Sequence, residues 1–214
     1  MSEPFAPVSS FFLLWVLHLT RRRADYHWDH VGGRLEDSML ARLGVPQALW
    51  ETARMLPGLR ELMAATGPTA KAYAHERDAE TIVKQTGVDA AKVHATKHQE
   101  RFCVGNMAIR VLHTPGHTPG SQCLVLEAFQ PMRVLTGDTM FVGSFGRIDG
   151  ADCSAADLWE SLNVTLGSLP DDTIVFPAHD YSEMKTSSIE QEKRTNPAMR
   201  IPKAQFVASY GSKY

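Results

Sequence analysis

Four histidines and two aspartates stand where they could build a split metal centre: His27, Asp29, His30, His117, Asp138 and His179. They come from four separated segments, Tyr26-His27-Trp28-Asp29-His30, Thr114-Pro115-Gly116-His117, Gly137-Asp138-Thr139 and Ala178-His179-Asp180-Tyr181. Imidazole nitrogens and carboxylate oxygens suit zinc or iron far better than calcium or magnesium. A cation held this way lowers the pKa of a bound water to about 7 and polarises the carbonyl that the resulting hydroxide attacks.

The segments differ in what they say. His27-x-Asp29-His30 is compact enough to serve two ions from one loop, because an extended or turn backbone points successive side chains apart. Gly32-Gly33 then lets the chain turn tightly. Thr114-Pro115-Gly116-His117-Thr118-Pro119-Gly120 is a stronger signal, since two prolines and two glycines build a rigid loop around one imidazole. Asp138 follows an apolar strand and can bridge two ions with its two oxygens or serve a single one; an Asx-turn aspartate is its plain alternative. His113 reads as a strand-end cap. His18, His75, His94 and His98 have no partners at ligand spacing and read as surface or core-edge residues.

Strand-end loops on an α/β scaffold are what must position such ligands. The stretch from Arg34 to Thr69 reads as mixed helix, with breaks at Pro46 and Pro57 and a last piece from Leu59 to Ala65. Lys71–Ala74 reads as a short strand, and a helix opens around Arg77 and stops at Gly87. Beyond residue 101 strands dominate: Phe102–Val104 and Met107–Leu112 around Gly105-Asn106, then Cys123–Leu126, Arg133–Thr136 and Thr173–Phe176. Between the last two lies a helix, Ala155–Leu169, with Ser154 as N-cap and Leu158, Leu162 and Leu166 on one face. Ser187 with Glu190 forms a capping box for a final helix that Asn196-Pro197 ends.

The chain carries 22 basic and 24 acidic side chains, net −2, which gives no nucleic-acid groove and no polybasic membrane surface. Cys103, Cys123 and Cys153 are odd in number and lack CxxC spacing, so they read as reduced thiols in a reducing compartment: the cytoplasm, with the mitochondrion as the alternative. The apolar run Phe11–Leu19 is well short of the roughly 20 residues that cross a bilayer. Residues 1–24 read as an atypical leader, 25–200 as one domain with a helical insertion at about 34–69, and 201–214 as a C-terminal tail.

Taken in order, these segments resemble the metallo-β-lactamase fold superfamily, and the second half looks most like its glyoxalase II and persulfide dioxygenase branches. The matching text is His113-Thr-Pro-Gly-His117-Thr-Pro-Gly-Ser121, Leu135-Thr-Gly-Asp138-Thr-Met-Phe-Val-Gly143, Phe145-Gly-Arg147-Ile-Asp149, Leu169-Pro-Asp-Asp-Thr173, Pro177-Ala-His179-Asp-Tyr181 and Ser188-Ile-Glu-Gln-Glu-Lys-Arg-Thr-Asn-Pro197. The resemblance implies an αββα sandwich of the α/β class. It assigns His27 and His117 to a first metal site, Asp29, His30 and His179 to a second, and Asp138 to a position able to bridge them. It also makes Arg147 a basic residue of a glutathione pocket and Tyr181 a substrate-side tyrosine. Asp29 can hold the attacking water and take its proton, and the Arg147 guanidinium can pair with a glutathione carboxylate.

Two positions depart from the pattern. The family's first histidine, two before His27, is Asp25 here, which changes the charge and reach of the first site. The family also places several strands ahead of this loop, whereas Arg21-Arg22-Arg23-Ala24 stands where an apolar strand should deliver it, so the N-terminal strands read as shortened or missing. The expected function is hydrolysis of a thioester such as a hydroxyacylglutathione, with two zinc ions, iron being the other metal considered. A mononuclear iron persulfide dioxygenase and a non-catalytic degenerate copy are the alternatives. The expected partner is a small-molecule glutathione conjugate, with neither nucleic acid nor a stable membrane span.

Overall fold

Strand β5 (Gln122–Leu126) is buried at every position, which explains why its text is apolar without alternation from Cys123 to Leu126. It sits inside a six-stranded sheet of order β10-β9-β6-β5-β4-β3, whose other members are β3 (Arg101–Val104), β4 (Met107–His113), β6 (Arg133–Gly137), β9 (Ile174–Pro177) and β10 (Ser187–Ser188). The computed structural model describes residues 59–66, 71–104, 107–179 and 181–211. Asp25, His27, Asp29 and His30 lie outside the described residues, as do the leader, the expected N-terminal strands, the Gly105-Asn106 turn and all of the 34–69 stretch except 59–66.

Alternation along the strands sorts side chains to two faces of the sheet. Leu112, Cys123, Val125, Val134 and Val175 join one buried cluster, which is completed by Leu158, Leu162, Leu166, Ile189 and Phe206 from the helical side. Ile109, Val111, Leu124, Leu126 and Leu135 form a second cluster on the opposite face. A sheet covered on both faces is the arrangement of an α/β layered domain.

The helical side begins with α3 (Ala155–Glu160), where the Ser154 hydroxyl accepts from the Asp157 amide at 3.2 Å. The expected helix to Leu169 does not run on unchanged. From Ser161 to Leu166 it widens into a π segment, with the Gly167 amide reaching back to the Leu162 carbonyl at 3.0 Å. Leu158, Leu162 and Leu166 are nonetheless all fully buried. In the last part of the fold the cap is Ser188 rather than Ser187: its hydroxyl accepts from the Gln191 amide at 3.1 Å and opens α4 (Ile189–Thr195). Ser187 is used instead in β10, opposite Val175. Asn196 ends α4, but Pro197 then starts another short helix, α5 (Pro197–Arg200), the position where a missing N–H costs nothing. Within the stretch read as a tail, α6 (Lys203–Tyr210) is helical and buries Phe206.

Ahead of the main sheet, α1 (Leu59–Thr66), β1 (Ala72–His75) and α2 (Glu76–Thr86) lead to β2 (Val93–Thr96), which pairs with β1 in parallel. Gly87 closes α2 at φ 66°, as its glycine suggested. No helix among the described residues is long and apolar enough to cross a membrane.

Chain direction fixes where function can gather. β4 and β5 are antiparallel, as are β5 and β6, so β4 and β6 run the same way; β6 and β9 pair in parallel. The carboxyl ends of β4, β6 and β9 therefore lie along one edge of the sheet. Loops leaving that edge are where open α/β sheets hold ligands.

Candidate metal centre

Each of the three described ligand candidates leaves one of those strand ends. His117 sits on the loop after β4, Asp138 directly follows β6, and His179 follows β9 by two residues. Gly137 and Pro177 are register partners, and the Ala178 amide donates to the Gly137 carbonyl at 3.2 Å, which draws the last two side chains together. His179 Nε2 lies 3.2 Å from Asp138 Oδ1, and His117 Nε2 lies 3.4 Å from Asp138 Oδ2. One carboxylate thus presents a different oxygen to each imidazole, the disposition a bridging ligand needs.

The loop holding His117 is braced from all sides. The Thr114 amide donates to the Ser121 carbonyl at 2.8 Å, and the Thr118 amide to the Ser121 hydroxyl at 3.0 Å. From α3 and the π segment, the Ser154 amide donates to the Gly116 carbonyl at 2.8 Å and the Ser161 hydroxyl to the Pro115 carbonyl at 2.7 Å. Gly116 has φ 137°, and a Cβ there would collide with the Leu158 backbone, so only glycine permits this approach. Asp78 of α2, itself buried, accepts from the Thr118 hydroxyl at 2.9 Å.

Inside this frame His117 is 97% shielded, with 3% of its surface exposed, and its Nδ1 lies 2.8 Å from the Arg147 backbone carbonyl. A carbonyl only accepts, so Nδ1 carries the hydrogen and Nε2 holds the lone pair. Nε2 and Asp138 Oδ1 are buried without a hydrogen-bond partner. The ion-pair distances and this orphaned pair of atoms describe one fact: the groups are close, yet not aligned to bond each other. A lone pair and a carboxylate facing each other are what a divalent cation would satisfy. The donor set therefore fits zinc or iron.

Among the described residues no group of three or more His, Cys, Asp or Glu side chains is arranged to hold a metal ion by itself. His117, Asp138 and His179 come together at the strand ends, and the remaining expected ligands, in the His27–His30 segment, lie outside the described residues.

Around His179 the surface is aromatic. The Tyr181 ring stacks on the imidazole at 5.4 Å and 22°, and Phe141 meets both rings edge-on, at 5.8 Å to His179 and 5.2 Å to Tyr181. Tyr181 is 72% exposed, leaving its outer face open. The Arg147 guanidinium is exposed beside Asp149, with Nε 3.7 Å from Oδ1. Two of the thiols serve the frame: Cys123 is pushed up to about 11 by burial, and Cys153 donates to the His117 carbonyl at 3.1 Å.

Sequence reasoning missed several supporting residues. Phe141, the Arg147 carbonyl, Asp78, Glu192 and Asn196 all hold the site or its frame. Glu192 and Asn196 lay within quoted family text, but nothing in their types marked them as buried braces. A backbone carbonyl has no sequence signal at all.

A family model of the metallo-beta-lactamase superfamily matches residues 42–179, a span that contains His117 and Asp138, ends on His179 and begins after His30. The human mitochondrial persulfide dioxygenase ETHE1 is 32% identical over 108 residues, 50% of this chain and 42% of its own length. The hydroxyacylglutathione hydrolase of Methylococcus capsulatus is 31% identical over 175 residues, covering 82% of this chain and 53% of that protein. The crystal structure of ETHE1 from Myxococcus xanthus superposes with a TM-score of 0.52 at 36% identity, covering 56% of this chain and 52% of that one. The chain thus spans about half the length of the curated relatives it matches.

Proposed function

The chain belongs to the metallo-beta-lactamase superfamily, and from this we propose that it is a metal-dependent hydrolase that cleaves the thioester of a glutathione conjugate. The observation that carries the reading is the meeting of His117, Asp138 and His179 at the carboxyl ends of three strands, with the His117 lone pair unspent. His117, Asp138 and His179 would hold the metal together with His27, Asp29 and His30, as a zinc pair or with iron in its place. When bound, the metal supplies the acidification of water and the polarisation of a carbonyl.

The rest is work for the chain's own side chains. Asp29 holds and deprotonates the attacking water. The exposed Arg147 guanidinium takes a glutathione carboxylate through paired hydrogen bonds. Tyr181 offers an open aromatic face against which the conjugate rests. The buried walls of the His117 loop keep bulk water away from the carboxylate. A reducing compartment, cytoplasmic or mitochondrial, agrees with three free thiols.

Persulfide oxidation is the second reading, favoured by the similarity to the human and Myxococcus xanthus proteins. One experiment separates the readings: metal content of purified protein, thioester cleavage of a hydroxyacylglutathione, and oxygen uptake with glutathione persulfide. The expected result is thioester cleavage without oxygen uptake. Oxygen uptake alone, with a single iron, would transfer the site to the dioxygenase reading; no metal and neither activity would leave a non-catalytic copy.

A further inference from the structure

Two strands of two residues each, β7 (Met140–Phe141) and β8 (Ser144–Phe145), form a hairpin directly after Asp138. So short a hairpin does not hold itself in water. It is held from α4. Glu192 is fully buried and accepts the Gly143 amide on both carboxylate oxygens, at 3.2 and 3.0 Å. Asn196, equally buried, donates through Nδ2 to the Ser144 carbonyl and to Glu192 Oε2, each at 2.8 Å. A buried carboxylate and a buried amide are thus committed to a turn that contains none of the expected ligands, and burying such groups is costly unless their partners matter.

What leaves this hairpin is Gly146-Arg147. Gly146 packs so closely on Asp138 that a Cβ would run into the Asp138 carbonyl oxygen, and it would also stand 3.4 Å from His117 Cγ. That approach brings the Arg147 carbonyl to 2.8 Å from His117 Nδ1. We propose that the β7–β8 hairpin is a positioning device whose working atom is the Arg147 backbone carbonyl: it fixes the tautomer and ring angle of His117 so that Nε2 is the metal-binding nitrogen. Gly146 provides the clearance, and Glu192 with Asn196 hold the hairpin in place. Arg147 thereby serves the site twice, with its main chain toward His117 and its side chain toward solvent. The proposal rests on His117 being a metal ligand.

The arrangement separates the two ends of Arg147 experimentally. Replacing the side chain leaves the carbonyl, so Arg147→Ala should keep zinc affinity within about twofold of the parent, whereas Gly146→Ala should weaken it by about 10–100-fold, the usual cost of losing an outer partner of a ligating histidine. Zinc affinity is read by chelator competition on the full chain, with folding checked by circular dichroism. Long-range 1H–15N spectra of the zinc-loaded protein, with the His117 signals assigned by their loss in His117→Ala, should show Nε2 shifted by the metal and Nδ1 protonated. If Nδ1 is the nitrogen that shifts, the positioning role falls while the metal reading stands. If neither nitrogen responds to zinc, the metal reading itself fails and takes the proposal with it. Should Gly146→Ala not fold, Glu192→Gln gives the second arm: a drop in zinc affinity supports the brace, and unchanged affinity overturns it.

Discussion

His117 and His179 meet a part-buried carboxylate, whereas His75, His98 and His113 meet one another and the backbone. The second group is the denser cluster of imidazoles. His75 and His113 stack with centroids 3.8 Å apart and planes 6° from parallel. Yet their nitrogens are engaged: His75 Nδ1 accepts from the Arg77 amide at 3.3 Å and caps α2, His98 Nδ1 accepts the His113 amide at 3.0 Å, and His113 Nε2 donates to the Pro119 carbonyl at 2.8 Å. At the strand-end site the opposite holds, because the His117 Nε2 lone pair is unspent and aimed at Asp138. Under the proposed reading it is not the crowding of imidazoles that marks the metal site but an uncommitted nitrogen facing a shared carboxylate. The crowded group instead stiffens the β4 loop from outside.

The widest separation between the two groups is expected in metal content and turnover. His117→Ala should abolish most bound zinc and lower thioester cleavage by more than the ~100-fold that losing an outer partner costs, as measured by metal analysis and steady-state assay. His98→Ala should leave both within about twofold of the parent, since it contributes no metal-facing atom. Equal losses in the two variants would erase the distinction.

Asp78 touches both regions and sharpens the comparison. It bonds the Thr118 hydroxyl one residue from His117, and it faces His113 electrostatically. Asp78→Ala removes a buried acceptor that serves the Thr118 hydroxyl and the Gly120 amide, so stability should fall by about 1–3 kcal/mol in urea unfolding, with zinc still bound.

Acid should act on the crowded group first. Burial, then His113, Arg77 and His98, lower His75 from its ordinary 6.5 to about 4. The unfolded chain therefore binds the extra proton between those values while the folded one does not, so this contribution to stability is complete above pH 6.5 and is lost as pH falls towards 4. His75→Asn keeps a cap but removes the titration, and should flatten that part of the urea-midpoint profile; an unchanged slope would assign the acid sensitivity elsewhere. The smallest effect belongs to the half-exposed His94–Glu100 pair at 2.6 Å, where Glu100→Gln should cost below about 1 kcal/mol.

Much of this is legible in the sequence, for identifiable reasons. Gly87 as a helix stop, Ser154 as a cap and the strands from Met107 to Phe176 follow from local rules that burial later reinforces. His117, Asp138 and His179 could be proposed together because each lies on the loop that leaves a strand. Ser187 and Ser188 carry the same hydroxyl, and only pairing of Ser187 with Val175 decides that the cap falls one residue later. The π widening at Ser161–Leu166 keeps the fourfold leucine spacing and so leaves no trace in the text. β7, β8 and the Arg147 carbonyl were invisible because two-residue strands and main-chain acceptors have no composition of their own. The role of His75 differs in the same way: a core-edge residue by pattern, it is a buried cap by contact.

The direct test of the account is a crystal of the full chain grown with zinc, with anomalous scattering recorded at the zinc edge. The account predicts a peak within about 2.0–2.2 Å of His117 Nε2 and of an Asp138 oxygen. Zinc located among His75, His98 and His113, or no peak near Asp138 at full zinc loading, would contradict it.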